Sequence, residues 1–118
     1  MEIVDFITVE SGDDLIVSFA MRGAEPNEIR SLTLQRTPKY EILLDDSERG
    51  VNVSDEDCEE EGDDFLDAVE FRSDEVHIVS KKLGYQLDCS GVDAEELEAA
   101  KNILLAMNFD SRFRLNIN

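Results

Sequence analysis

Apolar and polar residues alternate through the first part of the chain, with the period of two that strands require. Residues 2–10 (EIVDFITVE) are apolar on both faces and predict a buried strand. Ser11, Gly12, Asp13 and Asp14 form a turn cluster. In residues 15–22, Leu15, Val17, Phe19 and Met21 point one way, and Ile16, Ser18, Ala20 and Arg22 the other. After a break around Pro26, residues 29–36 (IRSLTLQR) set Leu32 and Leu34 inward, and Pro38 ends that strand. Tyr40, Ile42 and Leu44 predict a fourth strand.

The next pattern has no apolar period. Residues 54–64 (SDEDCEEEGDD) read as an acidic mobile loop. Strand character returns at 65–72 and 75–80, and a turn at Gly84 leads to a short strand ending at Asp88. Leu97, Ala100, Leu104 and Met107, widened by Ile103, then make the stripe of an amphipathic helix. Asp93 and Glu96 have the spacing of a capping box, and Val92 and Leu97 that of a hydrophobic staple. Beyond Asn108, Phe113, Leu115 and Ile117 alternate with polar residues, so 109–118 reads as a C-terminal strand or arm. The expected fold is a single α+β domain over residues 1–118. It has a mostly antiparallel, or strongly curled, sheet of about six to seven short strands covered by one C-terminal amphipathic helix.

Charge changes this picture most. The formal net charge is −18, from 29 acids against 11 lysines and arginines, while 42% of residues are apolar. Residues 51–75 hold −11 of it, twelve acids against Arg72 alone, whereas 101–118 is net +2. A field of this sign repels phosphates and argues against nucleic acid or an anionic membrane as partner. It also opposes compaction unless the charge meets something positive or simply keeps the chain dispersed. Met1-Glu2-Ile3-Val4-Asp5 is acidic where a secretory leader needs cations, and no apolar run is long enough to span a bilayer. The expectation is a cytoplasmic protein whose Cys58 and Cys89, outside any metal-binding spacing, stay reduced.

Candidate chemistry is sparse. His77 is the one histidine, and alternation turns it away from its neighbours Val76 and Ile78, with no nucleophile beside it in sequence. No glycine run has a phosphate-binding pattern. From Asp57 the acids follow a calcium-loop spacing as far as Gly62, but the twelfth position is Ala68 rather than glutamate. Neither a catalytic residue, a metal nor a cofactor is expected. The candidate partner-binding residues are Asp55, Glu56, Asp57, Glu59, Glu60, Glu61, Asp63 and Asp64, with Phe65 and Leu66 as apolar anchors beside them.

One order of elements has a familiar look. A strand ending Leu32-Thr33-Leu34-Gln35-Arg36 and a polar insertion come first. The hairpin Ala68-Val69-Glu70-Phe71 and Val76-His77-Ile78-Val79 follows, then a short strand and the helix from Asp93 to Met107. Over roughly residues 28–108 this resembles immunity protein family ten of bacterial polymorphic toxin systems, small acidic α+β proteins. It departs from that family's Gly-rich, aromatic stretch, where Glu59, Glu60, Glu61, Gly62, Asp63 and Asp64 stand here. The resemblance implies occlusion of a basic toxin, with carboxylates mimicking the phosphate of a nuclease substrate. It transfers no catalytic residue. The resulting expectation is an acidic protein-binding module. The alternative is a homodimer joined through residues 112–118, and an enzyme built on His77 stands third.

Overall fold

The computed structural model describes residues 1–25, 27–56 and 64–117. The fold is α+β, and its strands are β1 (Glu2–Glu10), β2 (Leu15–Arg22), β3 (Ile29–Arg36), β4 (Asn52–Asp55), β5 (Leu66–Arg72), β6 (Glu75–Ser80), β7 (Gly84–Asp88) and β8 (Arg114–Ile117). A short helix α1 (Pro38–Glu41) and a 3₁₀ turn (Asp46–Glu48) follow β3, and the main helix α2 (Ala94–Met107) precedes β8.

The eight strands form one sheet in the order β4-β3-β2-β1-β7-β6-β5-β8. All neighbours are antiparallel except β1 with β7 and β5 with β8. The sheet curls until its first edge meets its far side. Asn52 bridges Phe65, the Val53 N–H donates to the Asp64 carbonyl at 2.8 Å, and the Leu66 N–H donates to the Val51 carbonyl at 2.9 Å. β4 and β8 therefore share one edge of the β5 segment, β4 at its start and β8 from Ala68 onward. Closure of this kind satisfies an edge that would otherwise present open backbone groups. Gly50 makes the turn into β4 at φ +140°, where a Cβ would also come within 3.3 Å of the Phe65 ring.

Period two fixes the inward faces of the hairpins. Val17, Phe19 and Met21 from β2, Leu32 and Leu34 from β3, Val69 and Phe71 from β5, and Val76 and Ile78 from β6 are all buried in one core. β1 does not continue as the fully buried strand its composition suggested. A bulge between Val4 and Phe6 shifts the register, so Val4 and Ile7 face inward while Ile3 and Phe6 are each 42% exposed.

Two elements correct the sequence reading. Residues 40–44 are not a strand: Pro38 opens a helical turn, and a bend carries the chain away from the sheet. The fourth strand lies later, at Asn52–Asp55, overlapping the segment read as loop only at Ser54 and Asp55, and buried Val51 and Val53 alternate there with exposed Asn52 and Ser54.

Helix α2 buries Ala100, Ile103, Leu104 and Met107 and packs against β1, β2 and β8. Val92 and Leu97 join the same core. The capping box does not form: Asp93 is the N-cap but makes no side-chain cap bond. Glu96 instead accepts the Ile7 N–H at 2.7 Å. β1 pairs with β7 only at Glu2 and Ile3, so Glu96 serves an amide beyond that pairing. A direct consequence concerns the helix faces. Leu104→Ala should lower the unfolding free energy by about 2–5 kcal/mol, and Leu105→Ala, at an exposed position, by less than about 0.5 kcal/mol, in urea titrations.

Candidate partner-binding surface

The alternation of β3 carries one residue further than its apolar members. After Leu32 and Leu34, the next inward position is Arg36, whose side chain is 0% exposed. A guanidinium so deeply buried must satisfy five N–H donors or lose stability. All five are satisfied. Nε and Nη2 donate to the Glu41 carboxylate at 2.8 and 2.7 Å, and Nη1 and Nη2 donate to the Asp110 carboxylate, both at 2.8 Å. Nη1 also donates to the Met107 carbonyl at 2.8 Å. The Phe109 ring stacks on the guanidinium with its centroid 4.2 Å away. Helix α2 has no basic residue in its last turn, so Arg36 brings from β3 the positive charge that a helix C-terminus favours.

This cluster explains why 37–50 leaves the sheet. Five extended residues would place Glu41 roughly 17 Å from Arg36, and only a turn returns its carboxylate to the guanidinium. A second arginine holds the far end: Arg112 donates from Nε to Asp110 at 2.6 Å and from Nη1 to the Asp46 carbonyl at 3.0 Å, and Nη2 bonds the Asp46 carboxylate. Arg49 donates twice to the Leu44 carbonyl, at 3.2 and 3.0 Å. Near the start, Thr37 donates to Asp14 at 2.6 Å. The segment is a platform held by charge and hydrogen bonds, with residues 42–48 (ILLDDSE) on the outside.

A cleft of about 470 Å³ separates the platform from β4. Tyr40, Leu44 and Glu48 line it from one side, and Asn52, Ser54 and Asp64 from the other. Asp64, the last acid of the 55–64 run, lies on this second side, and Asp55, the first, follows Ser54. The two ends of the run are tied inward. Asp55 is only 8% exposed, within 3.5 Å of Arg30 and accepting the Tyr85 hydroxyl at 3.2 Å. Asp64 is buried, accepting the Ser80 hydroxyl at 2.6 Å and the Lys82 N–H at 3.1 Å. Leu66 belongs to the core, Phe65 is half-buried over Gly50, and Glu56 is exposed. Asp57, Glu59, Glu60, Glu61 and Asp63 lie outside the described residues, as does the calcium-like spacing that begins at Asp57. Of the predicted site, then, the structure assigns Asp55, Asp64 and Leu66 to holding the hairpin and leaves Glu56 facing solvent.

The sequence reading missed the platform. Its traces were the period-two series Leu32, Leu34, Arg36 and a proline placed where helices begin.

His77 and Cys89 do not converge. His77 lies on the outer sheet face, opposite Glu70 and Gln86 and 3.3 Å from Glu75, while Cys89 is buried in the core. Burial, reinforced by Asp88 and Asp74, pushes the Cys89 thiol up to about 12, so it stays protonated and is a poor nucleophile. Among the described residues no cluster of three or more His, Cys, Asp or Glu could hold a metal ion, and no helix is long and apolar enough to cross a membrane.

Two outcomes test the arginine cluster. Arg36→Met leaves the buried Glu41 carboxylate without its cation and Asp110 with Arg112 alone, and should cost about 3–5 kcal/mol of unfolding free energy in urea titrations at neutral pH. The second is a pH effect. The Arg36 hydrogen bond, helped by Arg112, holds the Asp110 carboxyl well below the usual carboxylate range. A depressed folded value stabilises above the unfolded pKa of about 3.9 and is lost as pH falls below it. The stability gap between wild type and Asp110→Asn should therefore be widest near pH 6–7 and narrow below about pH 4. A gap constant across that range would contradict the assignment. Compared with protein-family models, with curated proteins and with solved structures, the chain matches none, so its function is argued from this geometry.

Proposed function

We propose that the chain is an acidic binding module that covers a basic protein partner, acting by occlusion rather than catalysis. The observation that carries this reading is where the charge sits. A run has eight acids in ten positions, 55–64, and its first and last acids, Asp55 and Asp64, are locked in place, Asp64 in the wall of an open cleft. Carboxylates presented on a fixed base attract a cationic surface from a distance and discriminate against neutral ones. An immunity protein of the cytoplasm, shielding its host from a basic nuclease toxin, is the biological role this reading fits best, in keeping with the resemblance drawn from the sequence.

A homodimer through β8 is the second reading, because β8 is the last strand of the sheet and its outer edge is where another strand could add. Two chains of −18 repel each other, which favours a partner of the opposite sign.

The test uses a defined probe, a peptide of alternating lysine and serine, titrated at increasing salt. Binding should weaken steadily with ionic strength. It should fall at least about tenfold when Glu56, Asp57, Glu59, Glu60, Glu61 and Asp63 become their amides, with Asp55 and Asp64 kept to preserve the hairpin base. Affinity indifferent to salt, or unaltered in that variant, would end the electrostatic reading.

A further inference from the structure

We propose that Ile42 and Leu43 are the apolar anchor by which this chain grips a basic protein partner, an inference that rests on the binding-module reading above. Ile42 and Leu43 are 80% and 82% exposed, and Leu44 beside them is also exposed. Single apolar residues at a surface need no explanation, whereas a contiguous apolar run projecting from a fixed platform marks an interaction surface. The exposure is not that of a loose segment. The Leu43 N–H donates to the Tyr40 carbonyl at 3.2 Å and the Leu44 N–H to the Glu41 carbonyl at 3.0 Å. Glu41 is clamped by Arg36, and Arg49 holds the Leu44 carbonyl. Side chains presented on an ordered backbone lose little freedom on binding, the property of interface anchors.

The surroundings define the occupant. Asp45, Asp46 and Glu48 follow the anchor at once and are exposed, and the cleft behind Leu44 ends where the acidic run begins. A matching surface must be apolar opposite Ile42 and Leu43 and cationic opposite the acids around them. A second copy of this chain would set acids against acids, so charge complementarity selects a heterologous, basic protein.

The experiment compares two peptides of equal length and charge, one of lysine and serine, the other an amphipathic peptide of lysine and leucine. Wild type should bind the leucine peptide about tenfold or more tightly over the serine peptide. The double variant Ile42→Ser/Leu43→Ser should lose that preference, keep its affinity for the serine peptide and melt at the wild-type temperature. Leu105→Ser, which alters an exposed apolar residue on α2, should retain the preference. Equal binding of both peptides by wild type, or a preference that survives in the double variant, overturns the anchor while leaving the electrostatic reading intact. Failure of both peptides to bind at low salt overturns the reading on which it rests. Self-association in light scattering that disappears in the double variant would reassign the patch to a second copy and overturn the proposal.

Discussion

A cation without access to water sits at the junction of β3, α1, α2 and the approach to β8. Removing a guanidinium from solvent costs several kcal/mol, and mutual attraction to a carboxylate offsets this only when the remaining donors are also satisfied. Arg36 meets that condition through Glu41, Asp110 and the Met107 carbonyl. Burial alone would lower its pKa, but the hydrogen bonds to Asp110 and Glu41 outweigh it and the group is held firmly charged. The energetic gain over a well-packed apolar substitute is small in such clusters, and what they provide is geometry. Glu41 must lie five residues after Arg36 in a turn, and Asp110 must follow the helix closely enough to meet both Arg36 and Arg112. A chain of alternating charges, Glu41, Arg36, Asp110, Arg112 and Asp46, thus sets where the platform stands.

The same pairing shapes the field outside. Most positive charges of the described residues are spent on the chain's own acids: Arg22 on Asp5, Arg30 on Glu2 and Asp55, Lys39 on Asp13, Arg72 on Glu70 and Lys81 on Asp67. The exposed pairs among these add little to stability. Their consequence is electrostatic: cations answered locally do not soften the chain's excess of acid. Repulsion within that excess is a standing cost to the fold, and the hairpin bears it by turning its first and last acids inward to partners.

Regular parts of this fold were legible because one physical rule governed each. β2 and β3 alternate without interruption, and their limits, Leu15–Arg22 and Ile29–Arg36, are those the pattern gives. The helix stripe of Leu97, Ala100, Leu104 and Met107 likewise faces the core. Reading failed where a long-range contact overrode local pattern. Tyr40, Ile42 and Leu44 alternate as a strand would, but Glu41 is drawn to a buried arginine, and the bend leaves those apolar residues in solvent. Val51 and Val53 were hidden by the acids that follow them. Glu96 has the spacing of a capping residue, yet an amide on β1, 89 positions away in sequence, takes its carboxylate. The acidic run was visible as charge, but its division into structural ends and an outward Glu56 depends on Ser80, Lys82, Tyr85 and Arg30, none of which is near in sequence.

Charge and apolar anchor differ in range, and that difference gives their arrangement a physical logic. At physiological salt, a carboxylate is felt over about 8 Å, whereas apolar contact acts only when water has been expelled between touching surfaces. In the proposed binding module, acids would therefore govern the rate of encounter, and an apolar anchor how long the encounter lasts. The platform that bears Ile42 and Leu43 is fixed by Arg36, while the two ends of the acidic run are fixed separately, Asp55 by Arg30 and Tyr85 and Asp64 by Ser80 and Lys82. On the proposed reading, loosening Arg36 would leave every acid and every apolar side chain in the sequence and still release the platform on which Ile42 and Leu43 stand.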